Sequence, residues 1–145
     1  MKHIVLAIIC SFSMLGMSQS ENVTTQLYDS YDNFKETSIG KRRIKRADIQ
    51  PLIDTYTANK KFKVATVGKS IGGKDLSLIS IGTGDTNVFL WSQMHGDEPT
   101  ATQAIFDILK FFDSADFKVE KEAILANLTV HFFTHAESGW SRTFS

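Results

Sequence analysis

His95 and Glu98 stand three residues apart in the stretch Trp91-Ser92-Gln93-Met94-His95-Gly96-Asp97-Glu98-Pro99-Thr100. His95 offers a neutral imidazole nitrogen and Glu98 offers carboxylate oxygens. Both are ordinary zinc ligands, with bonds of about 2.0–2.2 Å. Gly96 between them permits a tight turn that brings the two side chains to one point. The long helix that aligns ligands in an HExxH arrangement is therefore not needed. A bare His-x-x-Glu pair is common by chance, and its plain alternative is a surface ion pair or a capping Glu. Context favours the metal: the pair follows an apolar strand and stands directly before a Pro-started helix. In open α/β sheets that carboxyl end of a strand is where ligands bind.

The elements that must position this pair can be read around it. Val88 to Trp91 is a short apolar run, expected to be a central strand. Pro99 suits a first helical position, where its missing N–H would have no partner anyway. Ala101, Ile105, Ile108 and Phe112 then recur at helical spacing, predicting an amphipathic helix to about Phe112. A weaker helix follows over Lys118 to Leu125. Leu128 to Phe133 reads as a strand, with Leu128, Val130 and Phe132 on one face.

Upstream, Phe62 to Val67 and Leu76 to Ile81 read as strands joined by a turn at Gly72-Gly73. In the second, Leu76, Leu78 and Ser80 share one face; Ser77, Ile79 and Ile81 share the other. Apolar residues on both faces suit a strand covered on both sides. A helix is expected from Ala47 to Ala58, with Asp48 as cap, Pro51 in its first turn, and Ile49, Leu52, Ile53 and Tyr56 on one face. Gly68-Lys69-Ser70 matches the end of a phosphate-binding loop, but Lys63 stands where that motif needs its first Gly. The order of elements points to an α/β sandwich, helices covering a mixed β-sheet.

Met94-His95-Gly96-Asp97-Glu98-Pro99 resembles the first metal-binding motif of the M14 zinc carboxypeptidases. Gly68-Lys69-Ser70-Ile71-Gly72-Gly73-Lys74-Asp75-Leu76 resembles the hairpin that precedes it there. The likeness runs from about Ile44 to Phe133. It implies a carboxypeptidase-like (phosphorylase/hydrolase-like) fold, here incomplete, with residues 46–133 as its N-terminal part. It also implies one zinc ion held by His95 and Glu98, a third His ligand, and a Glu acting as general base on a zinc-bound water. No residue of this chain matches that third ligand or that base, so no catalytic residue is assigned and no hydrolysis is expected of the chain alone. Asp97 departs from those members that carry a substrate-contacting Arg there, so their substrate preference does not transfer.

The other histidines do not complete the set. His131 falls on the strand face opposite Val130 and reads as a satisfied, partly buried side chain. His135 lies in a tail, residues 134–145, that breaks character. The family continues from this strand into an Asn-Pro-Asp-Gly loop. One legal coding of Thr134 to Phe144, read one base later, gives Pro-Met-Leu-Asn-Pro-Asp-Gly-Ala-Glu-Arg. An extra base that ended a longer enzyme early is therefore expected; the alternative is a short protein with its own C-terminus.

Composition sets the remaining bounds. The 145 residues carry zero formal net charge, which argues against a nucleic-acid partner. Lys41, Arg42, Arg43, Lys45 and Arg46 read as a solvated charge run. Eleven Phe residues supply material for a packed core. Lys2 and His3, the apolar run from Ile4, and Gly16 and Ser18 read as a signal peptide over residues 1–18, implying a secreted or periplasmic protein. Ser11 and Ser13 interrupt the run well short of the roughly 20 apolar residues a membrane anchor needs. Residues 19–45 read as an irregular lead-in. Cys10 is the only cysteine and lies in the segment to be removed, so neither disulfides nor thiolate ligands are expected.

A secreted zinc metallocarboxypeptidase acting on peptide or peptide-like substrates is thus the leading expectation. Its alternatives are a zinc amidohydrolase of the succinylglutamate desuccinylase or aspartoacylase type, which carries a similar His-Gly-x-Glu element, and a non-catalytic secreted fragment.

Overall fold

The computed structural model describes residues 22–40, 42–93 and 99–134. The chain divides into two units, residues 1–35 and residues 36–145. In the first, residues 22–29 (α1) and Tyr31–Phe34 (α2) are helical, where the sequence suggested an irregular lead-in. The reason is polar: Gln26 Nε2 donates to Asn22 Oδ1 at 2.7 Å and Ser30 Oγ to Gln26 O at 2.6 Å. Such one-turn bonds leave no apolar period to detect. The proposed signal segment, residues 1–18, lies outside the described residues. No helix among the described residues is long and apolar enough to cross a membrane.

The second unit is an α/β layer built on a mixed, open four-stranded sheet flanked by helices. Its strands are β1 (Lys63–Lys69), β2 (Asp75–Ile81), β3 (Thr86–Trp91) and β4 (Leu128–Phe133). Their order is β1-β2-β4-β3. β1 and β2 form an antiparallel hairpin closed by Gly73, whose φ of +74° suits a residue without a Cβ. β2 pairs antiparallel with β4, and β3 pairs parallel with β4. A parallel pair needs a crossover, which α4 (Pro99–Asp113) and α5 (Lys118–Asn127) supply.

The core lies on one face of the sheet. Ile79, Ile81, Val130 and Phe132 meet Ile105, Phe106, Leu109 and Phe112 of α4, with Ile49, Ile53 and Tyr56 of α3 (Arg46–Ala58) beside them. The buried stripe of α4 runs through Thr102 and Phe106, while Ala101 is exposed. The helix is thus rotated slightly from the face its apolar residues suggested. In α3, Pro51 falls at the sixth helical position rather than in the first turn. Asp48 caps from inside the helix, its carboxylate accepting the Lys45 N–H at 2.9 Å.

Two expectations about the sheet need correction. β3 is not central: among the described residues it pairs only with β4. Nor, among the described residues, is the sheet covered on both faces. The second face carries Leu78, Phe89, Trp91 and Phe133, with Phe89 and Trp91 each 52% exposed. All the described helices of this unit that enter the core lie on the other face, so Val88 and Leu90 of β3 are partly buried while Phe89 and Trp91 are exposed.

Truncating Phe132, fully buried, to Ala should cost about 3–5 kcal/mol in urea unfolding. Phe89→Thr, on the open face, should change stability by less than about 1 kcal/mol. Equal losses would show that the open face is packed in solution. Tyr56 gives a pH signature. Its ring packs edge-on against Phe62, with centroids 4.9 Å apart. Burial, then the carboxylates of Asp113 and Glu36, push its phenol above the ordinary range. A raised folded pKa means this stability is complete below about pH 10 and lost as pH climbs beyond it. Melting temperatures between about pH 9 and 11 should therefore fall more steeply for the wild type than for Tyr56→Phe.

Candidate functional site at the carboxyl end of the parallel strands

β3 and β4 run side by side with Trp91 opposite Phe133, so Ser92 and Thr134 leave the sheet at the same edge. His95 and Glu98 fall in residues 94–98, outside the described residues, as does His135. The residues on either side of that segment are described, and they form a buried polar floor. Ser92 is 4% exposed, Gln93 5%, Thr102 0% and Thr134 3%. Thr102 Oγ1, in the first turn of α4, donates to Ser92 Oγ at 2.9 Å. That bond ties the exit of β3 to the start of α4 across the segment carrying His95 and Glu98.

Gln93 is held in an uncommon conformation. Its φ is +57°, in the left-handed region that non-glycine residues seldom occupy. Its amide nitrogen donates to Ile44 O at 3.4 Å. Because a carbonyl only accepts, that contact directs the amide oxygen the other way. Gln93 Oε1 and Thr134 Oγ1 are both buried with no hydrogen-bond partner. Buried polar atoms are nearly always paired, so two orphans at one edge of a sheet call for a physical reason.

His131 belongs elsewhere. It lies on the open face of β4, with Nδ1 2.8 Å from Ser80 Oγ and Nε2 2.9 Å from Asn87 Oδ1. With Nε2–H donating to Asn87, Nδ1 accepts from the Ser80 hydroxyl. Both nitrogens are engaged, in keeping with the sequence reading of a satisfied histidine. Ser, His and Asn in this chain have the connectivity of nucleophile, base and orienter. Ser80, however, lies on a strand paired on both sides, so its backbone N–H serves the ladder rather than an oxyanion.

A groove of about 640 Å³ lies at the opposite end of β3 and β4, lined by Lys61, Gly82, Phe112, Ser114, Lys121 and Leu125 among others. Its lysines are spoken for. Lys121 is 6% exposed, and burial pushes its ammonium below the ordinary lysine range. Its Nζ donates to Phe111 O, Ser114 O and Ser114 Oγ at 2.6–3.1 Å. Those acceptors lie at or just past the C-terminal turn of α4, so this is a capping lysine rather than a free nucleophile. Lys61 Nζ pairs with Asp113 at 3.1 Å. Arg42, Arg43 and Lys45 are exposed, as a solvated charge run should be.

Among the described residues no group of three or more His, Cys, Asp or Glu side chains could hold a metal ion. Sequence reasoning placed the site at this edge but missed Ser92, Gln93 and Thr102. One signal was present: Thr102 is a polar residue on the apolar stripe of a helix.

No protein-family model matches the chain, and no curated protein matches it. Solved structures do. A metallo-carboxypeptidase from Burkholderia cenocepacia aligns with a TM-score of 0.53 at 14% identity, over 63% of this chain and 26% of that one. A metallo-carboxypeptidase from Pseudomonas aeruginosa, in complex with (2-guanidinoethylmercapto)succinic acid, aligns with a TM-score of 0.55 at 16% identity, over 63% and 25%. The matched region thus spans about a quarter of the length of these structures. At such identities the likeness establishes the fold.

Thr102→Val should cost about 1–3 kcal/mol in equilibrium urea unfolding, because it leaves the buried Ser92 hydroxyl without its donor. Thr102→Ser should recover most of that loss. A neutral Thr102→Val would show that the two ends of the segment are not tied by this bond.

Proposed function

We propose that this chain supplies the N-terminal part of a secreted zinc metallocarboxypeptidase, in which His95 and Glu98 ligate the metal. The observation that carries the reading is where the His-x-x-Glu segment falls. It joins the carboxyl end of β3, in a parallel pair with β4, to the start of α4, within a fold shared with solved metallo-carboxypeptidases. The donors suit the group: one imidazole nitrogen and one carboxylate oxygen are zinc ligands. The polar floor of Ser92, Gln93, Thr102 and Thr134 suits it too, since metal ligands are oriented by an outer layer of polar groups.

When bound, zinc would polarise a scissile carbonyl and acidify a water for attack on a C-terminal peptide bond. This chain's own part is to hold two ligands at the rim of the sheet. The third ligand and the general base that such chemistry also uses are not assigned to residues of this chain.

The test is zinc affinity by competition with a chromogenic chelator. His95→Ala and Glu98→Ala should each weaken binding at least about tenfold, on the scale of disturbed metal sites, while His131→Gln should leave it unchanged. Binding that survives loss of both His95 and Glu98 would overturn the assignment.

A further inference from the structure

Two stretches far apart in sequence meet on one surface of the second unit. The cationic run before α3 lies beside the β1–β2 hairpin, where Arg46 Nη1 donates to Asp75 O at 2.5 Å. Residues 42–48 and 69–75 together carry six Lys or Arg side chains and two Asp. Both carboxylates are already engaged. Asp75 pairs with Lys69 at 2.5 Å, and Asp48 accepts the Lys45 N–H at 2.9 Å. Arg42, Arg43, Lys45 and Lys74 are exposed. In a chain of zero formal charge, a surplus of positive charge gathered on one surface draws an anionic partner to it.

The hairpin adds an apolar tip to that surface. Ser70 N–H donates to Lys74 O at 2.8 Å and Gly73 N–H to Ser70 O at 2.9 Å, which closes the turn and leaves Ile71 at its apex. Ile71 is fully exposed. Turns ordinarily carry Gly, Pro, Asn, Asp or Ser, each for a conformational reason that a β-branched apolar residue lacks. Leu78 lies opposite Phe133 in the β2–β4 register, so the turn beyond Asp75 projects past the carboxyl ends of β3 and β4. A soluble polyanion would satisfy the cations and leave Ile71 in water. An anionic bilayer takes both: phosphates meet the cations, and an apolar side chain enters the boundary beneath the headgroups.

We propose that this surface docks the protein on an anionic phospholipid membrane, with Ile71 inserted at the headgroup boundary and Arg42, Arg43, Lys45 and Lys74 against the phosphates. Docking by this tip turns the end of the sheet where β3 and β4 leave it toward the bilayer. Zinc has no part in the contact, so the docking stands or falls separately from the metal reading.

The test is flotation of the whole chain with vesicles of phosphatidylcholine alone and of phosphatidylcholine mixed equally with phosphatidylglycerol. The protein should float with the mixed vesicles and stay behind with phosphatidylcholine. Arg43→Gln and Lys74→Gln should each lower the partition coefficient about fivefold, the scale for one cation at an anionic surface. Ile71→Ser should lower it at least about tenfold, as loss of a buried apolar side chain does, and should melt with the wild type because the side chain touches no core. Lys118→Gln, on α5 beside the groove at the other end of the sheet, should float as the wild type does. Failure to float with the mixed vesicles overturns the docking. So does an Ile71→Ser variant that floats undiminished, which would make the surface a site for soluble polyanions. An equal loss in Lys118→Gln would also overturn it, by showing attraction to charge anywhere on the protein.

Discussion

The parallel pairing of β3 with β4 is the constraint on which the rest of this unit depends. Strands that run the same way cannot be joined by a tight turn, so the chain must cross back over one face of the sheet. α4 makes that journey, and its apolar stripe of Ile105, Phe106, Leu109 and Phe112 becomes the lid of the core. The pairing also depends on close approach at the start of β3. A Cβ built on Gly84 would sit 1.9 Å from the Asn127 carbonyl carbon, and Thr129 Oγ1 donates to Gly84 O at 2.7 Å. Only glycine lets the two backbones lie that close. Once β3 and β4 are aligned, their carboxyl ends leave the sheet together, and Ser92, Gln93 and Thr134 gather at one rim.

The same sheet has two unlike faces and two unlike edges. Its inner face is closed by Ile79, Ile81, Val130 and Phe132. Its outer face shows Phe89 tilted against Trp91 and stacked with Phe133, at centroid distances of 5.7 and 6.2 Å. The β1 edge carries Lys63, Lys69 and a register shift between Thr66 and Gly68, which are common devices against edge-to-edge association. β3, reading Thr-Asn-Val-Phe-Leu-Trp, has no charge, no Pro and no register shift. Parallel strands are ordinarily covered on both faces. The outer face and the β3 edge are therefore the surfaces where this unit is most prone to associate.

Much of the fold was legible because burial leaves a period in the sequence. β4 spans the same residues, Leu128–Phe133, that alternation marked, and α4 extends only to Asp113, one residue beyond the expected end. Ile79 and Ile81 share a face with Ser77 as read, and it is the buried one of the two; His131 falls opposite Val130. What the period could not carry was pairing. An apolar run such as Val88 to Trp91 looks the same on a central strand and on an edge. Residues 22–29 were missed because their helix rests on polar one-turn hydrogen bonds. Pro51 was placed a turn too early because a capping Asp works from inside the helix as well as at its start. Of the candidate site, His95 and Glu98 lie outside the described residues, and the helix start at Pro99 was legible. The polar floor beneath it was not, since Ser92, Gln93 and Thr134 become buried only through strands far apart in sequence.

That floor also bears on how a strained residue survives. Polar atoms buried without partners are selected against, because a substitution that removes one recovers its desolvation cost. Random drift would scatter the exceptions. Among the described residues the two orphaned side-chain atoms belong to Gln93 and Thr134, which follow the paired ends of β3 and β4 by two residues and one. Of the two described non-glycine residues with positive φ, Gln93 is one; the other, Phe117, caps α5. Coincidence of an orphaned acceptor and a left-handed turn in one residue at the carboxyl end of a parallel strand is what a site held ready for a bound group would produce. A merely tolerated defect predicts neither beside the other.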